Sequence, residues 1–538
     1  MPVSPARVAA FDILLRVEAT DAYASELLHS SRTNKLSPAD HGLATEIVMG
    51  VLRWRSVLDE QIAVHVNQRT SAAKAANMSG TPSARLQAVP SRKDPLYKLD
   101  IEVITALRIG AYQLLFLDRI PVHAAINESV ELVKKVRKRS AAGMVNAVLR
   151  RLGKQASPRN VLVNRGSEVQ LREGIASAMP KGRLDAAPLG GEAAAAKAAK
   201  ISGAPSARLQ AVPSRSAPAA DPLSQEKSPL NSRSLDSSAR DDSAVKAHPS
   251  WLVQGWEQRY GAETAQAICG YDQSAPETVI HADRKLVEEL ATEKVGMEAG
   301  RLLKQVYTVV RGDLTRTRAF RDKRLVIQDE GSQLIALLFG HGQRTLDCCA
   351  APGGKTRIIG EQNPQATVIA TELHPHRAAL MRKLVPLPNV HVIAADVRTM
   401  PFAVQFDRIL VDAPCTGTGT LARNPEIKWR LKPDDISRLQ AYQLEILAAA
   451  MKQLAPGGQL LYSTCSLEPE ENEAVIEQAL HADHSFRLLD IRDRLNELRK
   501  DGTLVCDPDS LVRGPYLRTF PGVHPCDGFF AALLQREM

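Results

Sequence analysis

The stretch Asp347-Cys-Cys-Ala-Ala-Pro-Gly-Gly-Lys-Thr356 joins a short apolar run, Arg344 to Cys348, to a predicted helix. Two adjacent glycines let the backbone approach a ligand closely, and the amino end of a helix favours negative charge. The glycine spacing is neither that of a P-loop nor GxGxxG. By itself, the Pro-Gly-Gly turn fits a structural tight turn as well as a ligand site.

Around this stretch the chain alternates short apolar runs with helical segments. The runs are Arg344 to Cys348, Thr367 to Glu372, Val390 to Asp396, Asp407 to Asp412 and Gln459 to Thr464. Short strands that alternate with helices predict an α/β fold with a doubly wound, Rossmann-like parallel sheet. Ligands of such sheets bind at the carboxyl ends of the strands. We therefore expect the functional residues of this half of the chain at that edge.

Acidic residues close two of the predicted strands. Glu372 ends the second strand, where a carboxylate typically accepts the two hydroxyls of a ribose, and Asp396 ends the third, where it would meet an adenine amino group. Either acid alone could be a helix cap or a strand-end cap. Together with the glycine turn, they predict a ligand that contains adenosine, such as S-adenosylmethionine.

Two cysteines follow the next two strands, in Asp412-Ala-Pro-Cys415 and Ser463-Thr-Cys-Ser466. Adjacent strands would bring Cys415 and Cys465 to the edge that holds the cofactor. A free cysteine is usually an inert core residue. Two cysteines at strand ends beside a carboxylate favour a reactive role instead.

Two thiols at such a site suit the methylation of cytosine. Carbon 5 of cytosine is a poor nucleophile until a thiolate adds at carbon 6 while an acid protonates or hydrogen-bonds N3. Asp412 suits the N3 role if its carboxyl is protonated or shares a proton, because an ionised carboxylate only accepts hydrogen bonds. Lys355 could hold a phosphate, orient Asp412 or be an ordinary lysine at a helix start. The residues alone leave the two cysteines interchangeable.

The first part of the chain has a different pattern. Residues 5 to 66 and 98 to 152 show helical spacing and end in a basic cluster, which is either a solvated helix face or an RNA contact. A nearly identical segment occurs twice, at Ala72 to Arg92 and at Ala195 to Arg215. Because both copies lie in surroundings rich in Ala, Ser and Pro, we interpret them as parts of disordered insertions.

The composition restricts the class of protein. The chain has 538 residues with 69 Lys and Arg against 60 Asp and Glu, and its net charge of +9 makes nucleic acid the first partner to consider. No secretory signal or membrane span is apparent, so we expect a cytoplasmic protein without a membrane partner. Seven cysteines without a CxxC pair predict neither a disulfide framework nor a metal site.

Three segments carry a family resemblance: DCCAAPGGKT, DAPCTGTGTLARNPEIKW and STCSLEPEEN, at residues 347–356, 412–429 and 463–472. They resemble the motifs of RNA 5-methylcytosine methyltransferases. With a helical N-terminal part similar to the antitermination factor NusB, they identify the chain as a member of the RsmB (Sun/Fmu) family of 16S ribosomal RNA methyltransferases.

The resemblance implies a role for each matching residue. It places the nucleophile on Cys465, the thiol that helps to release the product on Cys415, and a catalytic and cofactor-binding acid on Asp412. The implied S-adenosylmethionine site consists of Cys349, Ala350, Ala351, Pro352, Gly353, Gly354, Lys355, Glu372, Asp396 and Asp412. Glu372 stands where an aspartate is commoner in the family.

Composition, which gives the insertion and the linker, and the resemblance, which gives the domains, together predict how the chain is organised. Residues 1–152 would form a NusB-like, all-helical RNA-binding domain, interrupted by an insertion at about 67–97. A disordered linker would follow at 153–247. Linker helices and a small subdomain would occupy 248–330, and a Rossmann-like methyltransferase domain 331–538.

The function that follows is transfer of a methyl group from S-adenosylmethionine to carbon 5 of a cytosine in 16S ribosomal RNA. The partner would be naked 16S RNA or a partly assembled small subunit, bound by a monomer. One alternative is a tRNA cytosine-5 methyltransferase, since the motifs do not exclude that substrate. Another is a non-catalytic RNA-binding or antitermination factor, because NusB-like domains occur in such proteins.

Overall fold

The computed structural model describes residues 3–30, 33–74, 95–155, 242–399 and 402–538. Most of the two predicted insertions, with nearly all of both repeat copies, lies outside these ranges. Their predicted disorder therefore remains a prediction. At the margins, described helices continue to Lys74 and Gln155 and resume at Asp242.

The N-terminal domain is helical, as the spacing of its apolar residues predicts. Helix α5 lies at its centre because it is apolar on almost every face, and the other long helices pack around it. Gly50 permits one close approach, since a Cβ atom there would lie 1.9 Å from the ring of Tyr112. The helices are α1 Pro5–Ala19, α2 Ala24–Leu28, α3 Pro38–Arg53, α4 Arg55–Lys74, α5 Ile101–Phe116, α6 Val122–Lys135 and α7 Ala142–Gln155.

A smaller antiparallel sheet follows three connecting helices. Its strands have the order β2-β3-β1-β4. The helices are α8 Asp242–Lys246, α9 Ser250–Tyr260, α10 Ala262–Asp272, α11 Arg284–Thr292 and α12 Arg318–Arg321. The strands are β1 Val279–His281, β2 Gly296–Ala299, β3 Val306–Arg311 and β4 Val326–Ile327.

The larger sheet contains every strand that the apolar runs predict. Parallel strands lie in the order β9-β8-β5-β6-β7, and antiparallel β13 pairs with β9 and continues to β12 and β11, while β10 pairs with β13. The strands are β5 Arg344–Asp347, β6 Thr367–Glu372, β7 Val390–Ala394, β8 Phe406–Asp412, β9 Leu454–Thr464, β10 Phe486–Leu489, β11 Val512–Arg513, β12 Tyr516–Arg518 and β13 Phe530–Arg536.

Helices cover this sheet, which explains why its strands are nearly continuous apolar runs. Leu346, Val368, Ile409 and Leu460 are all fully buried in the sheet. The helices are α13 Glu330–Leu338, α14 Gly354–Gln362, α15 Pro375–Leu384, α16 Ile427–Arg430, α17 Pro433–Gln453, α18 Glu473–Ala482 and α19 Ile491–Lys500. The predicted α/β fold with a helical N-terminal domain is confirmed.

The helical domain contacts the segment that follows the Cys415 loop. The Lys428 ammonium donates hydrogen bonds to the carbonyls of Arg53 and Ala247, both at 3.0 Å. The Trp429 indole N–H donates to the carbonyl of Leu52 at 2.6 Å. The loop that carries Cys415 is thus continuous in the chain with the contact between the domains.

Across the ranges that the structure describes, no helix combines the length and the apolar character needed to cross a lipid bilayer.

Candidate active site

The candidate site residues predicted from the sequence lie at the edge of the larger sheet where the parallel strands have their carboxyl ends. Strand β5 pairs with β6 on one side and with β8 on the other, so the chain changes direction across the sheet at β5. A crevice forms outside the strand ends at such a switch point. The glycine turn follows β5 and therefore lies at this position.

Hydrogen bonds fasten the glycine turn to its neighbouring strands. The Cys348 N–H donates to the carbonyl of Leu410 and the Ala350 N–H to that of Thr371, both at 2.9 Å. The Thr356 hydroxyl donates to Asp347 at 2.6 Å and anchors the first turn of α14. These bonds hold the turn between β6 and β8.

Gly353 is the residue that allows this turn. Its φ is +108°, in the region that side chains disfavour, and a Cβ atom would lie 2.6 Å from Val385 Cγ2. Helix α14 begins at Gly354. Because glycine offers no side-chain acceptor at the cap position, the first turn of α14 is open to an external carboxylate.

The two predicted cofactor acids have different surroundings. Glu372 ends β6, is 3% exposed and accepts a hydrogen bond from the His374 N–H at 2.9 Å. Asp396 lies two residues beyond β7 and accepts from the Arg398 guanidinium at 2.6 Å. Hydrogen bonds from Arg398 hold the pKa of Asp396 below its usual range. Asp396 is thus an ionised acceptor shared with Arg398, which the sequence analysis did not single out.

Lys355 and Asp412 form an ion pair inside the crevice. The Lys355 Nζ lies 3.0 Å from Asp412 Oδ2, and both side chains are largely buried. The Ser463 hydroxyl donates to the other Asp412 oxygen at 3.1 Å. Strand pairing sets Asp412 directly opposite Ser463. Of the roles that the sequence left open for Lys355, the structure shows a contact with Asp412.

The two thiols meet beside this ion pair. Cys415 Sγ lies 3.4 Å from Cys465 Sγ, and both are free, buried cysteines. Burial raises the pKa of the Cys415 thiol well above its usual range, and the hydrogen bond with Cys465 and the charges of Cys465 and Glu471 raise it further. Cys415 is therefore a thiol in the resting protein at neutral pH.

A buried carboxyl, Glu471, contacts the loops of both cysteines. It accepts hydrogen bonds from the backbone N–H and the hydroxyl of Thr416, at 2.9 and 2.5 Å, and also from the Ser466 hydroxyl. Burial raises the pKa of Glu471 to about 7.

The sequence analysis did not identify Glu471. The signal was present in Glu468-Pro-Glu-Glu-Asn472, which has three acids close to Cys465. Nothing local distinguishes them, although Glu468 and Glu471 are buried while Glu470 is partly exposed and pairs with Arg259.

The predicted site residues thus share one edge of the sheet. The glycine turn follows β5, Glu372 ends β6, and Asp412 ends β8 between Lys355 and Ser463. Cys415 and Cys465 lie in the loops after β8 and β9. Asp396 follows β7, at the outer side of the parallel strands.

Comparison with known proteins finds a family match in each of the two parts of the chain. Residues 334–535 match the family described as 16S rRNA methyltransferase RsmB/F, and residues 4–77 and 85–154 match the NusB family. The interruption between the two NusB matches falls within the predicted first insertion.

Individual relatives match over nearly the whole length. The probable ribosomal RNA small subunit methyltransferase B of Bacillus subtilis is 28% identical over 100% of both chains. The putative methyltransferase MT1451 of Mycobacterium tuberculosis is 30% identical over 99% of this chain and 97% of its own.

Among solved structures, the crystal structure of PH0851 aligns with a TM-score of 0.65 and 19% identity, covering 100% of both chains. That likeness supports the fold. The NusB-family match precedes the methyltransferase match in the chain. The chain therefore belongs to the RsmB/F family of ribosomal RNA methyltransferases, with a NusB-family domain at its N-terminus.

Proposed function

We propose that this chain transfers a methyl group from S-adenosylmethionine to carbon 5 of a cytosine in 16S ribosomal RNA, through a covalent bond between Cys465 and carbon 6. The observation that carries the proposal is the pair of thiols 3.4 Å apart, next to the ion pair of Lys355 and Asp412. Methylation at carbon 5 needs a thiol to attack, an acid near N3 and a second group to assist release.

The residues around the glycine turn fit S-adenosylmethionine. Glu372 is a buried carboxylate at a strand end and suits the ribose hydroxyls. The first turn of α14, preceded by Gly353, suits the carboxylate of the methionine part. Asp396 suits the adenine amino group as an acceptor shared with Arg398. When bound, the cofactor supplies an electrophilic methyl group.

The first chemical step is the attack of Cys465. Its thiolate forms a bond to carbon 6 of the cytosine, and the electron pair of the double bond moves toward N3. N3 then needs a proton. The Lys355 ammonium donates a hydrogen bond to Asp412 at 3.0 Å, so these two groups can share a proton and present it to N3. An ionised Asp412 alone could only accept hydrogen bonds, whereas the pair with Lys355 has a proton to give.

Release of the methylated base is the proposed task of Cys415. As a thiolate, Cys415 takes the proton from carbon 5, after which the double bond re-forms and Cys465 leaves as a thiolate. The proton on N3 returns to the pair of Lys355 and Asp412. The hydrogen bond with Cys465 and the charge of Cys465 both raise the pKa of Cys415. Once Cys465 is bonded to carbon 6, these two contributions are lost. Cys415 then ionises more readily, at the stage when a thiolate is needed.

The substrate class follows from the charge of the protein and from its relatives. Exposed cations at the end of α6 and beyond, including Lys135, Arg137 and Arg139, suit the phosphates of RNA. Relatives that match over 86% or more of the chain are named ribosomal RNA small subunit methyltransferase B or probable ribosomal RNA small subunit methyltransferase B. We assign the activity to cytoplasmic 16S RNA, naked or in a partly assembled small subunit.

Bisulfite sequencing of 16S RNA and tRNA from a strain that lacks the gene tests this proposal. We expect one protected 16S cytosine to lose protection in the deletion strain and to regain it with the wild-type gene, but not with Cys465→Ala. Loss confined to a tRNA would transfer the activity to that substrate. Unchanged methylation of both RNAs would contradict the proposal and favour a non-catalytic RNA-binding factor.

A further inference from the structure

Glu471 is fully buried at the turn between β9 and α18, six residues beyond Cys465. A carboxyl in such a place costs free energy unless donors surround it. Donors do surround it, and they come from separate parts of the chain. The arrangement is therefore built around this side chain.

Two of the donors belong to the loop that carries Cys415. The backbone N–H and the hydroxyl of Thr416, the residue after Cys415, donate to Glu471 Oε1 and Oε2 respectively. The Gln443 amide on α17 donates to Glu471 Oε1 at 2.9 Å and to the carbonyl of Pro414 at 2.8 Å. The residues on both sides of Cys415 are thus connected to one carboxyl, either directly or through Gln443.

The same carboxyl is tied to the loop that carries Cys465. Its Oε2 accepts a hydrogen bond from the hydroxyl of Ser466, the residue after Cys465. The backbone of Glu471 is held in turn, since the Tyr462 hydroxyl on β9 donates to the Glu471 carbonyl at 2.7 Å. One side chain therefore links the residues that follow both thiols.

We propose that Glu471 is a positioning residue, which holds the Cys415 and Cys465 loops together so that the two thiols meet in reacting geometry. This inference rests on the proposed function for its meaning in catalysis, although the geometric part stands apart from it. Glu471 hydrogen-bonds neither sulfur and acts through Thr416 and Ser466.

A carboxyl suits this task better than an amide. Each oxygen of Glu471 accepts two hydrogen bonds, from Thr416 N–H and Gln443 on one side and from two hydroxyls on the other. Glutamine has one oxygen and a donating amide group. If its amide group took the place of Oε1, it would face the Thr416 N–H and the Gln443 amide group, which both donate. If it took the place of Oε2, it would donate to the two hydroxyls, and both loops would lose their hydrogen bonds to a carboxyl. In both orientations the link between the loops is weaker.

The test measures the separation of the thiols and the reaction rate independently. Full-length wild type, Glu471→Gln and Thr416→Val are treated with diamide, which accepts two hydrogens as the Cys415–Cys465 disulfide forms, and the bond is quantified by peptide mass spectrometry. Steady-state kcat and KM for S-adenosylmethionine are measured with 16S RNA. Glu477→Gln is the control, because Glu477 is an exposed carboxylate on the next helix.

For Glu471→Gln we expect disulfide formation and kcat to fall by about tenfold to a hundredfold, as for a displaced reacting group. KM for S-adenosylmethionine should change by less than about twofold, because the hydrogen bonds of the Glu471 side chain go to Thr416, Gln443 and Ser466, outside Glu372 and the glycine turn. Thr416→Val should show the same pattern more weakly, and Glu477→Gln should match wild type.

Wild-type rates of disulfide formation and turnover in Glu471→Gln would overturn the proposal. If Glu471→Gln does not fold, Thr416→Val replaces it, since this variant removes one hydroxyl and leaves the carboxyl in place. Wild-type rates of disulfide formation and turnover in Thr416→Val would then overturn the proposal. If wild type methylates no RNA, the proposed function fails, while the disulfide rates still accept or reject the positioning role.

Discussion

The sulfur atoms of Cys415 and Cys465 lie 3.4 Å apart, although 50 residues separate them in the chain. Parallel pairing of β8 with β9 sets Asp412 opposite Ser463. Each strand is then followed by a turn that carries one cysteine. The Gly419 N–H donates to the Cys465 carbonyl at 2.9 Å and joins the turns further on. Two thiols at this distance can act on the same base.

We expect Cys415→Ala to accumulate a covalent complex with RNA. Without Cys415 the release step slows, while Cys465 still attacks carbon 6. The complex should appear after expression in cells as a slow, nuclease-sensitive band on a denaturing protein gel. Sequencing the trapped RNA would identify the substrate.

Cys465→Ala and the double variant serve as controls and should carry no adduct. A band confined to Cys465→Ala would show that the thiols have exchanged roles. If no variant traps RNA, release does not require a second thiol or the protein is inactive, and a radiolabelled methyl-transfer assay decides between the two.

Gly353→Ala should weaken both stability and cofactor binding. The positive φ and the 2.6 Å approach of a Cβ atom to Val385 require the turn to shift, which costs on the order of 1 to 3 kcal/mol. Thermal unfolding and calorimetric titration with S-adenosylmethionine measure the two effects. Gly270→Ala is the matched control, because a Cβ atom there meets nothing within 4 Å in helix α10. Equal melting temperatures for the two variants would argue against strain at Gly353.

Glu372→Gln should lower the affinity for S-adenosylmethionine. Hydrogen bonds to a charged group contribute about 1.5 to 3 kcal/mol, so we expect a loss of roughly tenfold to a hundredfold. Calorimetric titration measures the dissociation constant. Glu361→Gln, which breaks a surface ion pair with Arg357 on α14, should bind like wild type. Unchanged affinity in Glu372→Gln would place the ribose elsewhere.

The stability advantage of wild type over Glu471→Gln should depend on pH. Burial raises the pKa of Glu471 from 4.5 to about 7 in the folded chain. The folded protein keeps a proton that the unfolded chain has lost, so this contribution is complete below pH 4.5 and is lost as the pH rises through about 7. The effect is about 3 kcal/mol.

Melting temperatures of both proteins between about pH 5 and pH 8 test this dependence. The difference between them should shrink as the pH rises. The exposed Glu477→Gln variant should follow wild type at every pH. A difference that stays constant over this range would mean that Glu471 is already ionised in the folded protein at the acid end.

Local sequence patterns were enough to predict the fold class and the edge of the sheet at which the candidate site residues lie. Strands that are buried on both faces must be apolar along their length, so β5, β6, β8 and β9 were visible as apolar runs. The less buried edge strand β7 is an apolar run as well. Acids or cysteines lie at or just after the ends of these runs. Chemistry in such a sheet collects at those ends. The glycine turn, Glu372, Asp412, Cys415 and Cys465 could therefore be predicted, without coordinates, to lie at one edge of the sheet.

Which polar groups pair with one another could be seen only in the folded chain. Glu471 differs from the neighbouring Glu470 in its surroundings alone, because donors from Thr416 and Gln443, 55 and 28 residues away, converge on it. Lys428 looks like an ordinary charge until its ammonium meets the carbonyl of Arg53, 375 residues away. The burial and the hydrogen bonds of a residue depend on side chains and backbone groups that are distant in the chain. A local sequence pattern therefore cannot predict them.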